Sequence, residues 1–323
     1  MLSLGIESTA HSFSVGIVDE KGRVLANVID SYKAPEGWGI EPAKAAQHHR
    51  EVADKVLEKA LSDAKKMMKD IDIISFSQGP GLAPCLHAGF DIAKRIAKSN
   101  KKPLYGVNHC VAHIEIGRVS TKAKDPVTLY VSGGNTQILA FVDGRYRCFG
   151  ESMDIGIGNA LDKFGRALGI GFPAGPRIEK EAVGGKYIEL PYVVKGMDLS
   201  FSGIVTDAIR KKEKGASLKD VSFSLQETLF SMLTEVTERA VAHTGKEEVL
   251  LTGGVAANKR LQEMLAIMCK ERGAKFYVVP HDLAGDNGSM IAWTGVLMHK
   301  NKQKTKEELL PRQRTDEIDV SWL

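Results

Sequence analysis

A strand–turn–strand pattern occurs twice in this chain, and no other feature limits its fold so strongly. Residues 2–6, 13–18 and 24–30 are alternating or β-branched apolar runs, each reading as a short strand. Glu7-Ser8-Thr9-Ala10-His11 joins the first two, and a turn over residues 19–22 joins the last two. The pattern returns at residues 128–131, 138–142 and 146–149, with Ser132-Gly133-Gly134-Asn135-Thr136 and Asp143-Gly144 as the turns. Two such sets, each opening one half of the chain, predict duplicated domains.

Each set is followed by alternating helices and strands. Pro42 opens a long helix carrying Val52, Val56, Ala60, Ala64 and Met67 at helical spacing. A strand over residues 71–76 enters the loop Gln78-Gly79-Pro80-Gly81, a helix starts near Pro84, and residues 103–107 form the next strand. Farther on, residues 249–251 form a strand entering Gly253-Gly254. Helices are expected over residues 256–272 and 285–299, with a strand at 275–279 between them. This order predicts α/β layers divided near residue 124, into 1–124 and 125–323.

Composition sets the class of protein. Hydrophobic residues make up 43% and charged residues 26%, the mix of a soluble globular chain. No run of about 20 apolar residues is present to span a bilayer, and Glu7 interrupts the first apolar stretch where a signal peptide would need continuity. The four cysteines stand singly, without a C-x-x-C pair, as expected in a reducing compartment. A cytoplasmic protein with no membrane partner is the expectation. The net charge of +4 permits a polyanionic partner without demanding one. The basic runs at residues 210–214 and 300–306 read equally well as solvated helix ends.

Three glycine loops point to a nucleotide. Ser132-Gly133-Gly134-Asn135-Thr136 follows a strand directly, so backbone N–H groups can converge on an anion there, although Gly-Asn is also good hairpin chemistry. Gly253-Gly254-Val255-Ala256-Ala257-Asn258 again ends a strand and opens a helix, the usual ligand position in an α/β sheet. Asn258 is a candidate for hydrogen bonding to a base. In the third loop, Gly171-Phe172-Pro173-Ala174-Gly175-Pro176 leads into a helix bearing Glu179, whose carboxylate either complements the helix dipole or accepts from ribose hydroxyls. Neither a dinucleotide fingerprint nor a Walker loop occurs.

His109 and His113 lie one helical turn apart, so both imidazoles project from the same face and can chelate a divalent ion. A pair of buried histidines bonded to backbone or carboxylate is the plainer alternative. Cys110 stands where H-E-x-x-H would place its glutamate, which argues against a zincin peptidase. Asp286 and Tyr130 are candidate oxygen ligands, and two imidazoles with oxygens suit iron or zinc better than magnesium. Asp286 also suits a helix N-cap.

Taken together, residues 108–115, 130–137, 253–258 and 286–288 closely resemble the universal tRNA threonylcarbamoyladenosine transferase family, in its archaeal and eukaryotic branch, the catalytic subunit of the KEOPS complex. The resemblance implies an actin-like ATPase fold, with two duplicated α/β lobes around a nucleotide cleft and the last helix packing back on the first lobe. It implies one divalent metal, iron or zinc, held by His109, His113, Tyr130 and Asp286. It implies ATP or threonylcarbamoyl-AMP, with magnesium as an accompanying ion, bound by Tyr130, Val131, Ser132, Gly133, Gly134, Asp162, Gly175, Glu179 and Asn258. The implied partners are tRNA, a small kinase-like ATPase subunit and small adaptor subunits. Ala174 and His87 replace a glycine and an arginine common in the family, and Ser8 a frequent glycine.

The reaction so implied moves threonylcarbamoyl from its adenylate to the N6 amine of the adenosine 3′ to the anticodon, in tRNAs reading codons that begin with A. No residue stands out as the general base; Glu7, Thr9 and His11 of the first turn face the cleft in the implied fold, and His11 is the best candidate among them. The competing readings are an actin-fold small-molecule kinase or ATPase, and a metallopeptidase.

Overall fold

The computed structural model describes residues 1–35 and 39–323. From the N-terminus run β1 (Leu2–Glu7), β2 (Ser12–Asp19), β3 (Val24–Ser31), α1 (Pro42–Asp63), β4 (Ile73–Gly79), α2 (Ala83–Asn100), β5 (Leu104–Asn108) and α3 (His109–Thr121). There follow β6 (Val127–Val131), β7 (Thr136–Val142), β8 (Arg145–Glu151), α4 (Ile157–Ala167), α5 (Gly175–Glu181) and the short pair β9 (Val194–Lys195) and β10 (Asp198–Leu199). The chain ends with α6 (Ser202–Glu213), α7 (Leu218–Thr244), β11 (Glu248–Thr252), α8 (Lys259–Glu271), β12 (Lys275–Val278), α9 (His281–Ala284), α10 (Gly288–Lys300) and a largely irregular tail.

Contacts divide these elements into two compact units. The first comprises Met1–Ser120, Val142–Tyr146 and Gly285–Leu323, and the second Thr121–Phe141 and Arg147–Ala284.

In the first unit the strands lie in the order β3-β2-β1-β4-β5. The opening meander is antiparallel, and β4 and β5 add on parallel, as strands reached through crossover helices must. Helices α1 and α2 bury Ala53, Val56, Ala60, Ile92, Ala93 and Ile96 in a common core with Leu4, Ile6, Phe13, Ile74 and Phe76. Helix α10 packs on β1, β2 and β4. Glycine makes that approach possible: a Cβ on Gly16 would stand 2.1 Å from Ser289 N, and one on Gly288 2.2 Å from Gly16 N.

The second unit repeats the plan, with sheet order β8-β7-β6-β11-β12. β6 and β7 are antiparallel, while β11 runs parallel to β6 and β12 parallel to β11. Its central helix, α7, starts at the cap Ser217, whose side chain accepts from Asp220 N, and stops at Gly245 in the left-handed region. No helix among the described residues is long and apolar enough to cross a membrane.

Two helix starts differ from the sequence reading. The helix expected from residue 256 begins at Lys259, because Gly254–Ala257 forms a 3₁₀ turn and the Asn258 side chain caps the helix. The last helix begins at Gly288 rather than at 285, with the Asn287 side chain accepting from Met290 N. Asn287, not Asp286, is therefore the cap.

Candidate metal centre and nucleotide loops

β5 runs directly into α3, so His109 and His113 sit on the helix's first turns, and Asn108 fixes that start by accepting from Val111 N at 3.0 Å. The turn just before α10 carries Asp286 to the same place. One ligand atom from each of His109, His113 and Asp286 lies within 4.8 Å of the other two. Nε2 of His113 is 3.2 Å from Asp286 Oδ1, and Nε2 of His109 is 3.5 Å from the same oxygen. The two rings stand nearly perpendicular, 4.7 Å apart at their centroids.

A fourth group completes the cluster, one that the sequence reading named only as a candidate base of the first turn. Glu7, at the end of β1 and fully buried, lies 3.0 Å from His109 Nδ1. Its other oxygen accepts from Thr9 N at 2.7 Å and from the Thr9 hydroxyl. A carboxylate behind an imidazole fixes its tautomer and aims the opposite nitrogen, an arrangement typical of metal-ligating histidines. The sequence marked Glu7 as a cleft-facing residue of the first turn but carried no sign of its contact with His109.

The electrostatics agree with the geometry. Burial disfavours charge on His109, yet Glu7 and Asp286 outweigh it and push its pKa up to about 9. Burial dominates at His113, whose pKa is lowered despite its bond to Asp286. For Asp286 burial acts upward, but the two imidazoles hold the carboxyl well below the usual range. Two convergent imidazole nitrogens from buried rings and one oxygen of a partly exposed carboxylate fit a divalent ion of the borderline class.

Of the other residues from the sequence reading, Tyr130 is the buried penultimate residue of β6, paired in register with Gln137 and Thr252. His11 lies partly buried in the bend between β1 and β2, its carbonyl accepting from Tyr32 N at 2.8 Å.

Residues 132–135 form the tight hairpin turn between β6 and β7. Ser132 N donates to Asn135 O at 2.8 Å, and Asn135 N returns to Ser132 Oγ at 3.0 Å. The first turn of α4 clamps this hairpin: Ile157 N donates to Thr136 Oγ1, Gly158 N to Ser132 O and Asn159 N to Gly133 O. Those helix N–H groups are thereby engaged by protein. Gly133 and Gly134 stay exposed at the tip.

Hydrogen bonds link the remaining nucleotide candidates into one framework in this unit. Asp162 accepts from Ala174 N at 2.8 Å, which holds the loop before Gly175. Glu179 accepts from Lys259 N at 2.7 Å, so α5 is pinned to the start of α8. Asn258 accepts from Arg260 N and Leu261 N and donates to Gln226 Oε1 at 3.1 Å. Gly253, at φ +95°, passes so close to β6 that a Cβ would stand 2.2 Å from Val131 O.

Among curated proteins, the Thermococcus kodakarensis tRNA N6-adenosine threonylcarbamoyltransferase is 57% identical, with all of both chains covered. A probable bifunctional tRNA threonylcarbamoyladenosine biosynthesis protein of Methanocaldococcus jannaschii is 51% identical, covering all of this chain and 61% of that protein. Among solved structures, T. kodakarensis HypF superposes with a TM-score of 0.63 at 15% identity, over 96% of this chain and 49% of that one. The activator of 2-hydroxyisocaproyl-CoA dehydratase from Clostridium difficile gives 0.53 at 12% identity, over 95% of this chain and 99% of that one. At such identities they speak for the fold alone, which is the actin-like ATPase class. Residues 23–293 match the family described as TsaD, tRNA N6-adenosine threonylcarbamoyltransferase, and with relatives this similar along its whole length the chain belongs to that family.

Proposed function

We propose that this chain transfers the threonylcarbamoyl group from threonylcarbamoyl-AMP to the N6 amine of the adenosine 3′ to the anticodon, in tRNAs reading codons that begin with A. The observation that carries the reading is the cluster of buried His109 and His113 with the partly exposed Asp286, backed by Glu7, in a chain of this family. A small-molecule kinase of the same fold has no use for paired imidazoles facing one carboxylate.

In the proposed reaction the adenosine amine attacks the carbamoyl carbon of the mixed anhydride. A new C–N bond forms, the bond to the phosphate oxygen of AMP breaks, and the amine gives up a proton. His11 is the residue we assign to take that proton. The exposed Gly133-Gly134 tip, with Val131, Ser132, Asp162, Gly175, Glu179 and Asn258, is assigned to the adenylate, with magnesium at its phosphate. Backbone donors aimed at developing charge are the usual source of stabilisation in acyl transfer, and positioning matters more than usual for so weak a nucleophile. His109, His113 and Asp286 would hold a divalent ion, iron or zinc, with Tyr130 joining them on the strength of the family resemblance. Such an ion supplies Lewis acidity toward a carbonyl oxygen.

The names of the bifunctional relatives concern biosynthesis of the same modified nucleoside, which supports tRNA as acceptor and a multi-protein setting. The kinase-like ATPase and the adaptor subunits of KEOPS are the partners we propose. The test is transfer of labelled threonylcarbamoyl from its adenylate to a tRNA transcript, with partner subunits added or withheld. Wild type is expected to label the tRNA, and His109→Ala to lose at least about 100-fold in kcat/KM, the scale of one well-placed catalytic group. Wild-type protein that turns over ATP on small hydroxylated substrates but never labels tRNA would overturn the reading. His11→Ala at the full wild-type rate would remove His11 alone from the scheme.

A further inference from the structure

Both imidazoles of the cluster sit at the start of α3, and the first turn of a helix is where backbone N–H groups lack partners and the chain frays most readily. Here that turn is held by Asn108, which is buried and uses both ends of its carboxamide. Oδ1 accepts from Val111 N at 3.0 Å, while Nδ2 donates to Gln313 Oε1 at 3.0 Å and to Arg314 O at 3.5 Å. Two of these partners are backbone groups whose roles cannot be exchanged: Val111 N only donates and Arg314 O only accepts. They fix the sense of the Asn108 amide, and Gln313 must then offer its oxygen.

Gln313 belongs to the irregular segment that follows α10, and that segment is itself firmly held. Gln313 N donates to Leu310 O at 2.9 Å, closing a tight turn. The turn is fastened to the loop after β4, with Leu310 N donating to Gln78 O at 2.9 Å and Gly81 N to Pro311 O at 3.1 Å. The buried Gln78 side chain donates in return to Lys306 O at 3.0 Å and to Glu308 O at 2.9 Å. A Cβ on Gly79 would stand 1.9 Å from Leu310 O, so the segment lies directly on the end of that strand. The ends of parallel strands are where an α/β sheet presents its ligands. This segment covers that edge at β4 and reaches the junction of β5 with α3.

Glu7 acts on the His109 ring, whereas Asn108 acts on the backbone that carries it. We propose that Gln313 is a positioning residue for the metal centre. Its oxygen locks the Asn108 amide, Asn108 caps α3, and the cap sets where the His109 and His113 imidazoles converge. Chelation by two residues of one helical turn depends on the shape of that turn. A tie that only held the segment down would need no acceptor at residue 313. The segment is already fastened by Gln78, by Gly81 and by Thr305, whose hydroxyl accepts from Gly106 N at 3.1 Å. The inference rests on the metal reading of the cluster given above and adds a residue that reaches the ion only through others.

The test is metal binding by the full chain, with zinc affinity read by chelator competition and ligand geometry by the visible absorption of bound cobalt(II). Gln313→Met keeps the length of the side chain and removes the acceptor. Its zinc Kd is expected to rise about 3–10-fold, less than the ~10–100-fold typical of a partner that touches the ligand itself, and its cobalt band should change. Gln313→Glu keeps an oxygen for Asn108 and should bind zinc no more than about two-fold more weakly than wild type. Thr305→Val loosens the same segment away from Asn108 and should leave both readouts at wild-type values. Equal zinc affinity and cobalt spectra for wild type and Gln313→Met would overturn the proposal and leave the metal assignment standing. Gln313→Glu as weak as Gln313→Met, or Thr305→Val as weak as either, would also overturn it, since the loss would then come from a loosened segment and not from the missing acceptor. Wild type that binds neither metal removes the metal assignment and the proposal together.

Discussion

Glu7→Gln asks whether the carboxylate behind His109 sets the metal centre. Glu7 uses both oxygens, one toward His109 Nδ1 at 3.0 Å and the other toward the N–H and hydroxyl of Thr9. Glutamine offers one carbonyl oxygen and one NH₂ group, so it can serve only one side. With its oxygen turned to His109, the NH₂ faces the buried Thr9 N–H, and a donor left unsatisfied costs about 1–3 kcal/mol. With its oxygen turned to Thr9, the ring nitrogen Nδ1 meets a donor. A neutral imidazole then carries its proton on Nε2, the nitrogen that faces Asp286 and His113. The first orientation costs stability and the second makes a poorer chelator. Loss of such an outer partner typically lowers metal affinity about 10–100-fold, or about 1.4–2.8 kcal/mol. Zinc affinity, read by competition with a chromophoric chelator at fixed pH, should fall by that factor, and the metal-free protein should melt lower. A zinc Kd within about two-fold of wild type would refute the idea that Glu7 holds the tautomer of His109.

Three further outcomes follow from the packing. Gly288→Ala would set a Cβ 2.2 Å from Gly16 N and 2.7 Å from Gly5 O, backbone atoms that cannot rotate away. It should cost at least about 1–3 kcal/mol in urea unfolding, whereas Gly203→Ala, with open space around it, should be neutral or mildly stabilising. His49 is buried with Nε2 3.0 Å from the Ala10 carbonyl, and burial holds its pKa down to about 4 against an ordinary 6.5. A depressed pKa contributes stability that is full above 6.5 and is lost as pH falls toward 4, amounting to about 3 kcal/mol. The urea midpoint should drop across that window in wild type and less in His49→Phe, and equal slopes would exclude His49 as the cause. Glu115 is buried and accepts from Tyr146, Arg118 and Trp322. Alanine there should cost about 3–5 kcal/mol, and glutamine clearly less, since its oxygen can still serve Tyr146 and Trp322. Equal urea midpoints for the two variants would contradict this.

What was legible in the sequence was local. The spacing of His109 and His113 sets them on one face because helix pitch does so regardless of surroundings. The hairpin at residues 132–136 follows from glycine and asparagine between two apolar runs. The helix starts were less legible because propensity and capping compete. Val255-Ala256-Ala257 reads as helix by composition, but Gly253 at positive φ and the capping side chain of Asn258 move the start to Lys259. At the last helix the adjacent Asp286 and Asn287 are both good caps, and only the three-dimensional turn decides that Asn287 takes the role. The place of Glu7 behind His109 was beyond reach for a different reason. Its partner His109 is 102 positions away, and the parallel pairing of β1, β4 and β5 is what brings the two strand ends into line.

The repeated topology explains how one backbone plan can serve ligands of opposite charge. Matching the two sheet orders pairs β1 with β6 and β4 with β11. The turn after the first strand of each sheet is then Glu7-Ser8-Thr9 in one unit and Ser132-Gly133-Gly134 in the other. The turn after the fourth is entered in both by a glycine at positive φ, Gly79 and Gly253. In the first unit the turn carries a buried carboxylate, which repels anions and supports imidazoles facing a cation. In the second it carries exposed glycines and no acid, leaving backbone N–H groups as the only charge-like feature at its tip, which suits a phosphate. The ends of parallel strands are where an α/β sheet presents its ligands, so the backbone supplies the position and the turn residues supply the sign. Exchanging them makes the point testable: Gly134→Glu should abolish ATP binding while leaving zinc affinity unchanged, because the carboxylate would repel the phosphates. ATP bound as tightly by that variant as by wild type would mean that the tip of the second unit's hairpin never approaches the nucleotide.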